Sequence, residues 1–186
     1  MDVRPPNSPL TDGVVRLRPW SLDDIPALAA ACDDPEIARW MHQVPSPYTE
    51  GDAREYILMS QAAWRDRRNA IFAVLDCETD EVVGSCAMHI IDAELENVEV
   101  GYWTAAAARG RGLTTRAVKL IVTWALDELG AERVQLRADV RNVASLRVAE
   151  KAGFRREGVL RAAGFNPREG CRIDYAIFSV LPGETM

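Results

Sequence analysis

The residue of this sequence best suited to proton transfer is Glu99, which stands in the strand-like stretch 98–103. Side chains alternate along this stretch with the period of an extended strand, so Glu99 and Gly101 share the face opposite the valines. Gly101 leaves room beside the carboxylate, which can accept a proton from a nucleophile directly or through a water molecule. Glu94 and Glu96 flank the strand and could take its place if the register is shifted.

A turn with the sequence Arg109-Gly-Arg-Gly-Leu-Thr114 follows this strand and leads into an apolar stripe at helical spacing. The first amides of a helix have no intrahelical acceptor, and the helix dipole places roughly half a positive charge beside them. Together with Arg109 and Arg111, these amides predict a seat for a phosphate or pyrophosphate. The alternative is that the glycines only let the helix pack closely on a strand, while the arginines are solvated.

The elements that position these groups follow from periodicity and turn signals, which predict an α/β (α+β) chain. Strands are expected at 14–18, 70–75, 81–91, 98–103, 134–140, 155–161 and 171–180. Helices are expected at 21–32, 49–68, 112–129 and 143–151, with a short helical turn at 35–40. Residues 1–13 are rich in proline and polar side chains, which predicts a loose N-terminal tail.

Composition predicts a single domain that spans residues 1–186. With 48% hydrophobic residues, the chain can bury a full core without disulfides or metal ions. No apolar run approaches the roughly 18 to 20 residues needed to cross a bilayer, and the N-terminal residues lack the apolar centre of a signal peptide. We therefore expect a cytoplasmic protein that does not act at a membrane.

Charge and cysteine spacing narrow the classes of partner. The net charge of −6 argues against nucleic-acid binding and favours a cationic partner, such as an amine or a basic peptide end. The four cysteines lack the close pairs that zinc and redox sites use, so we expect free thiols and no metal site.

The Arg-Gly-Arg-Gly turn is followed at 142–154 by the pattern Asn-x-x-Ser-x-x-x-x-Glu-Lys-x-Gly-Phe. This combination resembles the GNAT family of acyl-CoA-dependent N-acetyltransferases, especially its ribosomal-protein alanine acetyltransferase branch. The resemblance covers nearly the whole chain and is strongest over 98–161. Arg109 and Gly112 match the family's phosphate-loop pattern Gln/Arg-x-x-Gly-x-Gly/Ala. Thr114 occupies the last small position, a departure expected to affect packing more than phosphate contact.

The resemblance implies a GNAT fold, with a mixed, mostly antiparallel sheet of about six to seven strands flanked by about four helices. Its two central strands, which carry Glu99 and Asp139, are expected to begin side by side and then splay. Unpaired backbone groups in the splay could then bind the pantetheine arm of acetyl-CoA as an added strand would. The implied cofactor-binding residues are Val100, Tyr102, Trp103, Thr104, Arg109, Gly110, Arg111, Gly112, Leu113, Thr114, Asn142 and Ser145.

The implied activity is direct transfer of an acetyl group from acetyl-CoA to a primary amine, on a protein N-terminus or a small molecule. Glu99 is the candidate base, and Ser145 is placed by the resemblance to hydrogen-bond the leaving sulfur. Ser145 could instead only satisfy a backbone group, and Asn142 can cap the same helix. Trp40 and Tyr48 are expected to line the acceptor wall, in a loop that also contains His42, whose role stays open.

Two other functions stay open. The chain could bind acyl-CoA as a non-catalytic sensor or partner protein if Glu99 were buried in an ion pair or the acceptor cleft were closed. It could also use a longer donor such as succinyl-CoA, for which a roomy or cationic acyl pocket would be the sign. The resemblance also suggests a homodimer, whereas the identity of the amine is not encoded in any recognisable motif.

Overall fold

The computed structural model describes residues 2–184, so the ends of the predicted domain 1–186, Met1 and 185–186, lie outside the described residues. The strands are β1 Leu10–Thr11, β2 Val15–Pro19, β3 Asn69–Asp76, β4 Val82–Asp92, β5 Asn97–Thr104, β6 Arg133–Asp139, β7 Arg155–Asn166 and β8 Cys171–Val180. The α-helices are α1 Ile25–Cys32, α2 Pro35–Trp40, α3 Glu50–Arg65, α4 Leu113–Asp127 and α5 Val143–Lys151.

The eight strands found in residues 2–184 form one sheet in the order β1-β2-β3-β4-β5-β6-β8-β7. Neighbouring strands are antiparallel except for β5 and β6, which confirms the predicted mixed, mostly antiparallel sheet. The expected six to seven strands and four helices are each exceeded by one, because β1 was not predicted and α2 is a complete short helix. No helix of the described part combines the length and apolarity needed to cross a membrane.

The prediction of a loose tail at 1–13 is wrong for residues that the structure describes. Val3 is fully buried and Leu10 belongs to the main core, while β1 pairs with β2. The amide of Val3 also donates a hydrogen bond to the carbonyl of Arg67. Composition was misleading here because two apolar side chains are enough to anchor a segment that is otherwise rich in proline and polar residues.

The alternation predicted for β5 is confirmed by the two cores that lie on opposite faces of the sheet. Val98 and Val100 pack with α4 in one core, whereas Trp103 packs with α1 and α3 in the other. Trp103 stacks on Trp20 with ring centroids 6.2 Å apart. Strand β5 is therefore held from both faces, which fixes the direction of every side chain along it.

The splay between the two central strands is confirmed. β5 and β6 pair over three positions, from Asn97 opposite Arg133 to Glu99 opposite Gln135. Beyond Glu99, β5 continues beside β4 alone, and β6 continues beside β8 alone. The sheet therefore opens between 100–104 and 136–139, where backbone groups on the facing edges have no strand partner.

Candidate active site

Two adjoining clefts meet at the opening between β5 and β6. The larger, of about 410 Å³, extends toward Glu99 and Arg137. The smaller, of about 210 Å³, extends toward Arg109 and Thr114 at the glycine turn. The residues that line both clefts, and so mark their junction, are Trp40, Met41, Tyr102, Asn142 and Ser145. The opening in the sheet thus connects the predicted phosphate seat to the predicted base.

The glycine turn has the geometry expected of an anion seat. Gly110 and Gly112 have φ values of 77° and 78°, in the left-handed region that side-chain-bearing residues rarely adopt. Gly112 is the N-cap residue of α4 and has no side chain to cap it, so the first amides of the helix keep their hydrogen-bonding capacity. No heavy atom lies within 4 Å of a Cβ built on either glycine. The turn therefore has unpaired donors and open space beside it, and it fits a pyrophosphate.

The arginines of this turn are neither free nor simply solvated, because each forms an ion pair with an aspartate from another element. Arg109 pairs with Asp34, and Arg111 pairs with Asp76 at 2.6 Å. Hydrogen bonds from the backbone of Glu78 and from the Arg111 guanidinium lower the pKa of Asp76. The positive charge that the sequence places at the turn is therefore partly compensated in the folded chain.

The other predicted cofactor residues surround the junction, and several can reach a ligand only through their main chain. The side chains of Val100, Trp103 and Leu113 are buried in the two cores. The hydroxyls of Thr104 and Thr114 hydrogen-bond each other, which ties the end of β5 to the first turn of α4. This placement agrees with recognition by backbone groups, although it does not test that recognition.

Ser145, Asn142 and Tyr102 form one hydrogen-bonded cluster at the junction. The amide of Ser145 donates to Oδ1 of Asn142 at 3.1 Å, so Asn142 caps α5 as its type predicts. Oγ of Ser145 lies 2.8 Å from the Tyr102 hydroxyl, which is also 3.2 Å from the Ser145 carbonyl oxygen. Burial raises the pKa of Tyr102 despite the opposing hydrogen bond of Ser145, so the phenol is protonated at neutral pH. The cluster presents hydroxyl donors where the two clefts meet.

Glu99 lies in the larger cleft, but its carboxylate is already paired. Arg137 donates from Nε to Oε2 at 2.7 Å and from Nη2 to Oε1 at 3.0 Å. Gln135 donates to Oε2 at 2.7 Å. The Arg137 guanidinium also lies over the Tyr175 ring, 5.8 Å from its centroid. Of the two oxygens, Oε1 accepts one bond rather than two and so keeps a lone pair for a further donor.

The predicted acceptor wall is only partly brought to the clefts. Trp40 lines both of them, and its indole nitrogen donates to Oε1 of Glu36 at 2.7 Å. Tyr48 instead packs in the core between α1 and α3, where burial raises the pKa of its hydroxyl. The structure does not place Tyr48 among the residues that line either cleft, because the chain turns back into the core just before α3.

Sequence reasoning missed several residues of the larger cleft, namely Arg137, Asp139, Ala163, Gly164 and Tyr175. Arg137 follows Gln135 on the same strand face, but the pairing of Glu99 with Gln135 was not predictable without the register. Gly164 lets the Tyr175 ring pack directly against the β7 backbone, since a Cβ at this position would lie 2.6 Å from the ring. A glycine inside a predicted strand is the one available signal of such an approach. Residues 2–184 contain no cluster of three or more potential metal ligands.

Comparison with known proteins gives a consistent assignment. Residues 15–155 match the family model described as the acetyltransferase (GNAT) domain. The chain is 29% identical to the uncharacterized N-acetyltransferase p20 of Bacillus licheniformis over 169 residues, which cover 90% of this chain and 93% of that protein.

Two solved structures share the fold. The ribosomal-protein-S5-alanine acetyltransferase from Vibrio fischeri has a TM-score of 0.81 at 18% identity, covering 96% of this chain and 98% of that one. The microcin C7 self-immunity acetyltransferase MccE, in complex with acetyl-CoA and AMP, has a TM-score of 0.81 at 22% identity, covering 92% and 94%. With the family model matching most of its length, the chain belongs to the GNAT acetyltransferase family and is an acyl-CoA-dependent N-acyltransferase.

Proposed function

We propose that this protein transfers the acetyl group of acetyl-CoA to the primary amine of a protein N-terminus or of a small molecule. The observation that carries the proposal is the opened strand pair, where two clefts that share part of their lining extend from the glycine turn to Ser145 and Glu99. The smaller cleft, at the glycine turn, suits a donor that carries a pyrophosphate. The larger cleft, at Glu99, suits an acceptor that needs polar surroundings.

The donor side is supported by three features of the chain. The turn at Gly110 and Gly112 offers uncapped amides, the β5 edge offers unpaired backbone groups, and a protein of the same fold is described in complex with acetyl-CoA. A succinyl donor would need a free cation for its second carboxylate. Arg137 lies in the cleft, but its charge is already matched by Glu99, which favours the uncharged acetyl group.

The acceptor must lose a proton before it can attack a thioester. At pH 7 this costs about 1 kcal/mol for an α-amino group with a pKa near 8, and about 4 to 5 kcal/mol for a lysine side chain near 10.4. Both kinds of amine would benefit from a polar partner, and the free lone pair on Oε1 of Glu99 can accept a hydrogen bond from the amine or from a water beside it.

The sulfur leaves as the new amide forms, and a hydrogen bond lowers the free energy of its developing negative charge. Ser145 is the proposed donor to the sulfur. Tyr102 can donate to Oγ of Ser145, which leaves the serine proton free to point at the leaving group. Neither hydroxyl needs to ionise for this role.

The experiment that tests the function measures release of free thiol from acetyl-CoA with a panel of amines. The panel contains peptides with free N-termini, polyamines and amine-bearing nucleosides, and acetyl-CoA binding is measured in parallel by calorimetry. We expect binding and amine-dependent thiol release. Absence of acetyl-CoA binding by the folded protein would overturn the proposal.

A matched pair of variants assigns the binding to the turn. Gly112→Trp should abolish binding, because the new side chain fills the space beside the uncapped amides. Gly130→Trp is the control, since Gly130 has a similar left-handed φ of 71° and open surroundings but lies beyond the other end of α4. It should bind acetyl-CoA as the wild type does.

A further inference from the structure

His42 is the least explained polar residue of the larger cleft. It lines that cleft on the connection that follows α2, and its Nε2 is shielded from solvent without a hydrogen-bond partner. Among the described residues, two other buried side-chain nitrogens lack a partner, and both are indole nitrogens of core tryptophans. A buried polar group without a partner destabilises the folded state, so an imidazole kept in this state at a cleft wall calls for an explanation.

The connection that carries His42 is held in place from both sides. Arg168, between β7 and β8, donates to the carbonyl oxygen of Ala38 and to that of Val44, the latter at 2.6 Å. These two anchor points flank His42 along the chain. The imidazole is therefore presented by a segment that is tied to the connection between β7 and β8, and its position is a feature of the fold rather than of a free loop.

Asp139, at the end of β6, lines the same cleft as this imidazole and carries a negative charge. Burial acts to raise the pKa of Asp139, but the hydrogen bonds and the nearby charge of Arg141 lower it below its usual value. Asp139 is thus ionised at neutral pH. If His42 takes up a proton, the resulting imidazolium shares the cleft with this carboxylate, which Arg141 pairs and which stabilises the added charge without a hydrogen bond to Nε2.

Glu99 is less suited to receive the proton. Its carboxylate is held by the two-pronged contact of Arg137 and by Gln135. Proton uptake there would weaken the charge-assisted bonds and leave the Arg137 cation uncompensated. The imidazole of His42 makes no comparable bond among the described residues. With Nε2 shielded, Nδ1 is the nitrogen that remains for a substrate or a water.

We propose that His42, rather than Glu99, accepts the proton of the acceptor amine. The proposal rests on the acetyl-transfer function proposed above. The amine nitrogen forms a bond to the thioester carbon, the carbon–sulfur bond breaks, the amine proton passes to His42 directly or through one water, and the sulfur leaves with the bonding electron pair. The proton then returns to the solvent or to the thiolate. Glu99, fixed by Arg137, accepts a hydrogen bond from the amine or from its water and so orients the amine toward the thioester carbon.

The charged and titratable side chains that line this cleft are Glu99 and Tyr102 on β5, Arg137 and Asp139 on β6, and Tyr175 on β8. Arg141, which pairs with Asp139, and Arg168, which holds the segment of His42, lie next to it. His89, on β4 opposite Glu99 in register, is the second histidine of the chain and lies outside the cleft lining. It therefore offers a matched control.

The test measures kcat and kcat/KM against pH for the wild type, His42→Ala, His42→Gln, Glu99→Gln and His89→Gln, with an amine that the wild type acetylates. We expect both His42 variants to lose about 100-fold or more in kcat and to lose the limb on which the rate rises with pH. Acetyl-CoA affinity should stay within twofold of wild type. Added imidazole should restore part of the rate to His42→Ala, which a merely structural role would not allow.

The expected control result is a wild-type pH profile for His89→Gln and a lower rate with the limb kept for Glu99→Gln. Wild-type rates in both His42 variants, or a limb that persists in them and vanishes in Glu99→Gln, would overturn the proposal. The wild-type assay separates this failure from failure of the function itself. Turnover with an unaffected His42→Ala contradicts only the role of His42, whereas absence of thiol release with every amine contradicts the acetyl transfer.

Discussion

The two ends of the β5–β6 pair differ in how their polar groups are satisfied. At the closed end, 97–99 pair with 133–135, and Val98 and Val134 are fully buried. Arg133 binds both carboxylate oxygens of Glu157 there, at 2.7 and 2.5 Å. At the open end, 100–104 and 136–139 do not pair with each other, and two clefts meet between them.

This difference shows how one strand pair can serve both stability and binding. Paired backbone groups and buried valines stabilise the closed end, where the paired backbone groups of 97–99 and 133–135 cannot bind a ligand. At the open end, unpaired backbone groups keep the capacity to bind an extended ligand. The free-energy cost of leaving them unpaired is small because the clefts admit water, which can hydrogen-bond them. Substitutions at the closed end should therefore affect folding, and those at the open end should affect turnover.

The largest expected effect is on stability at the closed end. Val134→Ala removes two methyl groups from a fully buried site, so the free energy of unfolding should fall by about 2 to 3 kcal/mol. Denaturant titration measures this fall. The kcat of the folded variant should match the wild type at a temperature well below its unfolding midpoint. A tenfold loss of kcat under those conditions would contradict the division between the two ends.

The next effect is on turnover at the open end. Ser145→Ala and Tyr102→Phe should each lower kcat about tenfold, equivalent to about 1.4 kcal/mol, because each disrupts the hydroxyl pair. The double variant should be little slower than either single variant, since both act through one hydrogen bond to the leaving sulfur. Steady-state kinetics of all four proteins measure the coupling. Losses that multiply in the double variant would show that the two hydroxyls act separately.

A smaller effect is expected at the glycine turn. Asp34→Asn removes the charge that pairs with Arg109 but keeps an oxygen to accept from the amide of Glu36 at the start of α2. Acetyl-CoA affinity should rise about two- to fivefold at low salt, because Arg109 is freed for the pyrophosphate. Asp2→Asn, which loses the ion pair with Arg67 instead, is the control and should leave the affinity unchanged. Weaker binding by Asp34→Asn would mean that the pair orders the turn.

The last effect is the acid dependence of stability that comes from the ion pair of the closed end. Hydrogen bonds from Arg133 and Ser179 lower the pKa of Glu157 to about 2, from an ordinary value of 4.5. Because the folded-state pKa is lowered, its contribution to stability is complete above about pH 4.5 and is lost as the pH falls toward 2. Unfolding measured across this range should show a shallower acid dependence for Glu157→Gln than for the wild type. An unchanged dependence would contradict this role of Glu157.

Much of the fold was predictable because the signals are local. The strand of Glu99, the cap at Asn142, the helix at 143–151 and the strand at 171–180 follow from alternation, capping chemistry and glycine placement. The buried N-terminal segment was not predictable, because its anchoring depends on contacts with distant parts of the chain. Its apolar residues Val3 and Leu10 have no local periodicity that distinguishes them from a tail.

By itself the sequence determined which groups are available: a carboxylate on a strand face, a glycine turn before a helix, and a serine one turn into another helix. The tertiary structure alone decided their state. Glu99 meets Arg137 only because β5 and β6 pair in one register, and Arg109 meets Asp34 across 75 positions of sequence. His42 comes to the cleft because Arg168 ties its segment there. Charge compensation and placement depend on distances between remote residues, and these exist only after the chain has folded.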